Sequence, residues 1–178
     1  MFYSHGEDRA LKASDNILKF LKESKIPRSV VIIGLGNLDR ADDGLGITLA
    51  VRLKDRYPGH VFSEKEKSVE EIVFELLERK DIRAFLFVDA TDFGGKPGEV
   101  RLFSAEDTER FVPSFSTHKV PITHLMELIL QRGKRPFLLG VQPGSLEFFG
   151  KMSPSAQNAL DRLEKDLNRF LDRKIKES

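Results

Sequence analysis

The chain switches between two kinds of apolar pattern. Ser29 to Leu35 (SVVIIGL) and Arg83 to Asp89 (RAFLFVD) are unbroken apolar runs, which suits central parallel strands covered by helices on both faces. Pro136 to Val141 reads as a further strand and His60 to Phe62 as a short one. Residues from Glu99 to Phe103 alternate outward and inward after the turn Gly94-Gly95-Lys96-Pro97-Gly98. Between these runs the apolar residues fall at helical spacing. Asp42-Asp43 opens a predicted helix to about Arg56, with Leu45, Ile47, Leu49, Ala50 and Leu53 on one face. Ser68 and Glu71 form a capping box ahead of Val69, Ile72, Val73, Leu76 and Leu77. Ile122 to Leu130 is helical with Gly133 as its stop. Ser153-Pro154 caps a last helix that repeats Met152, Ala156, Leu160, Leu163, Leu167 and Phe170.

Strands alternating with helices predict an α/β domain, and 178 residues suffice for one core. Leu11, Ile17, Leu18 and Leu21 lie on one face of a leading helix from about Glu7 to Glu23, which Ile26-Pro27 interrupts. The expected organisation is a helical extension over residues 1–28 followed by a single domain over 29–178.

Composition narrows the chemistry. There is no cysteine, so this chain offers no disulfide, thiol nucleophile or thiolate metal site, and any metal must rest on carboxylates and imidazoles. A formal charge of +1, with 29 basic and 28 acidic residues, argues against a nucleic-acid partner or an anionic membrane surface. Val30 to Leu35 is too short to span a bilayer, and Met1 to Arg9 lacks the order of a secretory signal, so a cytoplasmic location is expected.

In an open parallel sheet, ligands gather beyond the carboxyl ends of the strands. Three segments belong there: Gly34 to Gly46, Asp89 to Asp92, and Phe115 to Lys119. The first begins like a dinucleotide loop, but Asp39 stands where the third glycine belongs, and the acidic residues that follow repel phosphate. Asp42 reads as a helix cap. Asp89 either caps a neighbouring loop or faces the crevice, and His118 alone reads as a structural histidine. Together, Asp43, Asp89 and His118 make an incomplete divalent-metal site with room for ligands that arrive with a substrate. His124, six positions beyond His118, reads as a surface or packing residue. No G-x-S-x-G elbow and no H-E-x-x-H helix occurs.

Four ordered blocks carry a resemblance: G-L-G-N with D-D-G-L-G (Gly34 to Asn37, Asp42 to Gly46), V-D-A-T-D-F-G-G-K-P-G-E-V-R (Val88 to Arg101), S-T-H-K-V-P (Ser116 to Pro121) and F-L-L-G-V-Q-P (Phe137 to Pro143). From about Val30 to Leu171 the chain resembles the hydrogenase maturation proteases, which trim a C-terminal extension from the large subunit of nickel–iron hydrogenases. The third and fourth blocks are similar to the formate-hydrogenlyase-type branch. The resemblance implies a three-layer α/β sandwich with a twisted, mostly parallel five-stranded sheet, like that of phosphorylases and peptidyl-tRNA hydrolases. It also implies nickel ligation by Asp43, Asp89 and His118, with Asp43 as candidate base. The nickel would be carried by the substrate, the large-subunit precursor. Ser63-Glu64-Lys65-Glu66-Lys67 departs from the glycine-rich stretch common in the family. The rival readings are a peptidyl-tRNA-hydrolase relative, which shares G-L-G-N but not its continuation, and a non-catalytic nickel-sensing chaperone.

Overall fold

The computed structural model describes residues 29–110 and 121–176. The leading helix expected over residues 7–23 and the S-T-H segment with His118 lie outside them. Five strands, β1 (Val30–Gly34), β2 (Val61–Ser63), β3 (Ala84–Ala90), β4 (Val100–Ser104) and β5 (Arg135–Val141), form one sheet in the order β2-β1-β3-β5-β4. β4 alone runs antiparallel, on an edge beside β5. The four parallel strands therefore end on the same side.

Successive strand residues point to opposite faces, so each apolar run feeds two cores. Val30, Ile32, Leu86, Val88, Leu139 and Val141 meet helix α1 (Leu45–Lys54) and helix α5 (Pro154–Lys176). Val31, Ile33, Phe85, Phe87 and Leu138 meet helix α2 (Val69–Leu77) and helix α4 (Ile122–Gln131). Phe85 and Phe87 are fully buried; each such side chain contributes roughly 2–3 kcal/mol on transfer from water. The result is the three-layer α/β sandwich with a mostly parallel five-stranded sheet that the resemblance implies.

Two elements differ from expectation. The helix predicted to open at Asp42-Asp43 begins as a 3-10 turn over Ala41–Gly44, and only Leu45 starts the α-helix. Ala41 has φ +43, and the Asp42 carboxylate is engaged with a distant loop instead of capping its own helix. The chain also forms a short helix α3 (Ala105–Arg110). Its start carries a reciprocal cap between Ser104 and Asp107, a serine–aspartate spacing visible in the sequence. The capping box of α2 forms as expected, with Ser68 Oγ accepting from the Glu71 amide at 3.3 Å.

The two helices on one face are also tied at their edge. Arg52 Nη1 on α1 donates to Asp161 and Glu164 on α5, at 3.0 and 2.8 Å. The Tyr57 hydroxyl, just beyond α1, lies 2.9 Å from Asp172 and 3.0 Å from the Asn168 carbonyl.

Candidate active site

The backbone of Asp43 and the side chain of Asp89 both lie against Gly36, where β1 and β3 end. Asp89 is the last residue but one of β3. β1 continues beside it, with the Leu35 amide donating to the Val88 carbonyl at 2.9 Å. The chain then turns at Gly36, whose φ of +125° suits glycine. A Cβ at Gly36 would lie 1.8 Å from the Asp43 carbonyl oxygen and 3.7 Å from Asp89 Oδ1. Hence the 3-10 turn and the end of β3 close on the same bare backbone. The Asn37 amide donates to the Asp43 carbonyl at 3.2 Å, and the Asp43 amide to the Arg40 carbonyl at 2.9 Å. Asp43 and Asp89 are 6% and 9% exposed, respectively. Two largely buried aspartates at this end of the sheet suit a cation far better than an anion.

Glu64, on the segment that departs from the family pattern, joins this neighbourhood. Its amide donates to the Gly34 carbonyl at 3.1 Å, and its Oε2 accepts from the Gly36 amide at 3.2 Å. A carboxylate therefore already occupies an amide that a phosphate-binding loop would present to its ligand. Gly46 is likewise a packing residue, because a Cβ there would lie 2.1 Å from the Val88 carbonyl oxygen. Both observations agree with the rejection of a dinucleotide loop.

Two further residues hold the site's walls. Asp42 is 1% exposed and accepts four hydrogen bonds. Three come from the amides of Gly144, Ser145 and Ser153 at 2.7, 3.0 and 2.6 Å, and one from the Ser153 hydroxyl at 2.8 Å. Gln142, just past β5, organises the loop after β3. Its Oε1 accepts from the Phe93 and Gly95 amides at 2.9 and 3.0 Å, and its Nε2 donates to Asp92 Oδ1 at 3.0 Å. Hydrogen bonds from Gln142 and the Gly94 amide hold the Asp92 carboxyl below the usual aspartate range.

The structure thus places Asp43 and Asp89 on either side of Gly36, whereas His118 lies outside the described residues. Among the described residues, no group of three histidine, aspartate or glutamate side chains forms a metal site. His124 is exposed on α4, as expected of a surface residue.

The family model for hydrogenase maturation proteases of the HycI type matches residues 68–169, more than half of the chain. The chain belongs to the hydrogenase maturation protease family. Its curated relatives include the hydrogenase 3 maturation protease of Escherichia coli K12, 29% identical over 133 residues, which are 74% of this chain and 83% of that one. Among solved structures, the nickel–iron hydrogenase maturation protease HycI of Thermococcus kodakarensis superposes with a TM-score of 0.69 at 29% identity, over 82% of this chain and 93% of that one. The hydrogenase maturating endopeptidase HybD of E. coli shares the fold at 20% identity, with a TM-score of 0.64 over 81% and 92% of the two chains. Asp43 lies on the segment that follows the carboxyl end of β1 and Asp89 at the end of β3, the end of a parallel sheet where ligands gather. The peptidyl-tRNA-hydrolase alternative gives way to this assignment. No helix among the described residues of this maturation protease is long and apolar enough to cross a membrane.

Proposed function

We propose that the protein acts in the cytoplasm as the endopeptidase that removes the C-terminal extension of a nickel–iron hydrogenase large-subunit precursor after nickel insertion. The observation that carries this reading is that two buried aspartates, Asp43 through its backbone and Asp89 through its side chain, flank Gly36 at the carboxyl ends of the parallel strands. In this reading, Asp43, Asp89 and His118 complete the coordination of a nickel ion that the precursor holds through its own cysteine thiolates. The chain has no cysteine, so softer ligands must come from the substrate. Oxygen and imidazole donors suit the remaining positions of such an ion.

The nickel belongs to the substrate and serves to position the scissile bond. Asp43 is both a ligand and the base that takes a proton from the attacking water, a role open to a carboxylate within hydrogen-bond reach of that water. The thiolate-bound nickel makes processing a checkpoint, because a precursor without metal lacks the group that Asp43, Asp89 and His118 recognise. The test is the intact mass of a nickel-loaded precursor incubated with purified protein. Loss of the C-terminal extension only in the nickel-loaded sample is the expected result; binding without a change in mass would leave the chaperone reading in its place.

A further inference from the structure

Beside the candidate active site stands an apolar ridge that the proposed chemistry does not use. Leu38, Phe148 and Phe149 are 52%, 63% and 85% exposed. Among the described residues, the remaining exposed large apolar side chains, Val51, Phe74 and Leu130, are scattered over three different helices. Phe149 has φ +56°, a left-handed conformation that a bulky residue avoids. The Phe149 amide donates to the Asp39 carbonyl at 2.6 Å, which joins the two halves of the ridge. The Arg40 guanidinium lies 4.9 Å from the Phe148 ring centroid, and the rings of Phe148 and Phe149 are 6.4 Å apart.

This ridge is fixed to the site. Leu38 packs on Gly44, and Arg40 accepts the Asp43 amide through its carbonyl. Asp42 holds the loop that leads to Phe148 through the Gly144 and Ser145 amides. A strained backbone carrying an 85%-exposed phenylalanine next to buried carboxylates makes little contribution to stability. It is the pattern of a contact surface.

We propose that Leu38, Phe148 and Phe149 form a docking ridge for an apolar segment of the precursor polypeptide, outside the residues that meet the metal and the scissile bond. The inference rests on the protease reading, because a protein substrate that reaches Asp43 must pass over the segments on either side of it. A second copy of this chain is the weaker occupant: three side chains fall far short of the roughly 800 Å² per partner that a stable dimer buries. Phe149 acts through shape and exposed apolar area, so its removal weakens precursor binding without altering the bond-breaking step.

The experiment compares wild type, Phe149→Gly, and the double variant Phe148→Ser/Phe149→Gly, with Phe74→Ser as a control on α2. Kd for nickel-loaded precursor is measured by biolayer interferometry, and processing by intact mass. Glycine accepts the φ of residue 149, so the melting temperature of Phe149→Gly should equal or exceed that of wild type. The double variant should bind precursor at least tenfold more weakly and raise KM similarly, with kcat within about twofold. The control should match wild type. An unchanged Kd in the double variant overturns the ridge; so does a wild-type dimer that this variant dissolves while precursor binding stays the same. If wild type binds the precursor but never cuts it, the protease reading falls, while the Kd comparison still decides the ridge.

Discussion

Asp42 accepts hydrogen bonds from both the amide and the hydroxyl of Ser153, at 2.6 and 2.8 Å, joining the 3-10 turn to the start of α5 across 111 residues. Ser153 in turn accepts from the Ala156 amide at 3.3 Å, so one carboxylate anchors the cap of the longest helix and the loop before it. Replacing Asp42 by alanine strands four partly buried donors at once. Each such donor costs about 1–3 kcal/mol, so Asp42→Ala should lose about 3 kcal/mol or more in urea-induced unfolding. Asp42→Asn should fall between, because its amide nitrogen faces donors. A loss below about 1 kcal/mol in the alanine variant would show that the loop re-forms its bonds elsewhere.

Gly36 is the residue on which Asp43 and Asp89 close. In Gly36→Ala the new methyl would meet the Asp43 carbonyl at 1.8 Å, at a φ of +125° that alanine disfavours. The contact is with backbone, so relief requires moving the 3-10 turn away from β1. We expect a destabilisation of about 3 kcal/mol or more and loss of precursor processing even where the protein remains folded. Thermal unfolding followed by the mass assay checks both.

The sheet and helices were legible because their signals are local. Val30-Val31-Ile32-Ile33 can be buried on both faces only in a covered strand, and Ser68 with Glu71 marks a helix start within four residues. Asp43 and Asp89 were legible as candidates from their place after apolar runs. The role of Asp42 was not, since its partners lie 102 to 111 residues away and only the fold brings them near. Glu64 was hidden for the same reason: its bond to the Gly36 amide spans 28 residues, and its segment stood out only as a departure from the family's glycine-rich stretch. Gln142 was visible only as a letter in a motif. Its work is to satisfy amides of a glycine-rich loop that has no regular structure to satisfy them.

If Asp43, Asp89 and His118 act on a substrate-held metal, their loss should spare the fold and abolish processing. Asp43→Asn, Asp89→Asn and His118→Ala should each leave the melting temperature within a few degrees of wild type, with unprocessed, nickel-containing large subunit accumulating in cells. Normal processing in all three would remove the site assignment. The free protein should bind nickel weakly in calorimetry, because three ligands leave a divalent ion undercoordinated. Nanomolar affinity without precursor would mean that the chain holds a metal of its own.

Tyr57 supplies a pH probe of the α1–α5 edge. Burial, followed by its hydrogen bond to Asp172, pushes the Tyr57 phenol up to about 12 from an ordinary value of 10.0. The neutral phenol is thus favoured in the folded protein, and its contribution to stability is fully present below about pH 10. That contribution should fall away as pH rises from about 10 towards 12, because the unfolded chain then releases the proton first. The chain has two tyrosines, so a Tyr3→Phe background leaves Tyr57 as the sole phenolate signal in ultraviolet absorbance. In that background the titration midpoint should lie well above 10 and coincide with unfolding if the protein opens first. Tyr57→Phe should flatten the alkaline loss of stability, and a midpoint near 10 in the folded protein would show that the hydroxyl is not held between Asn168 and Asp172.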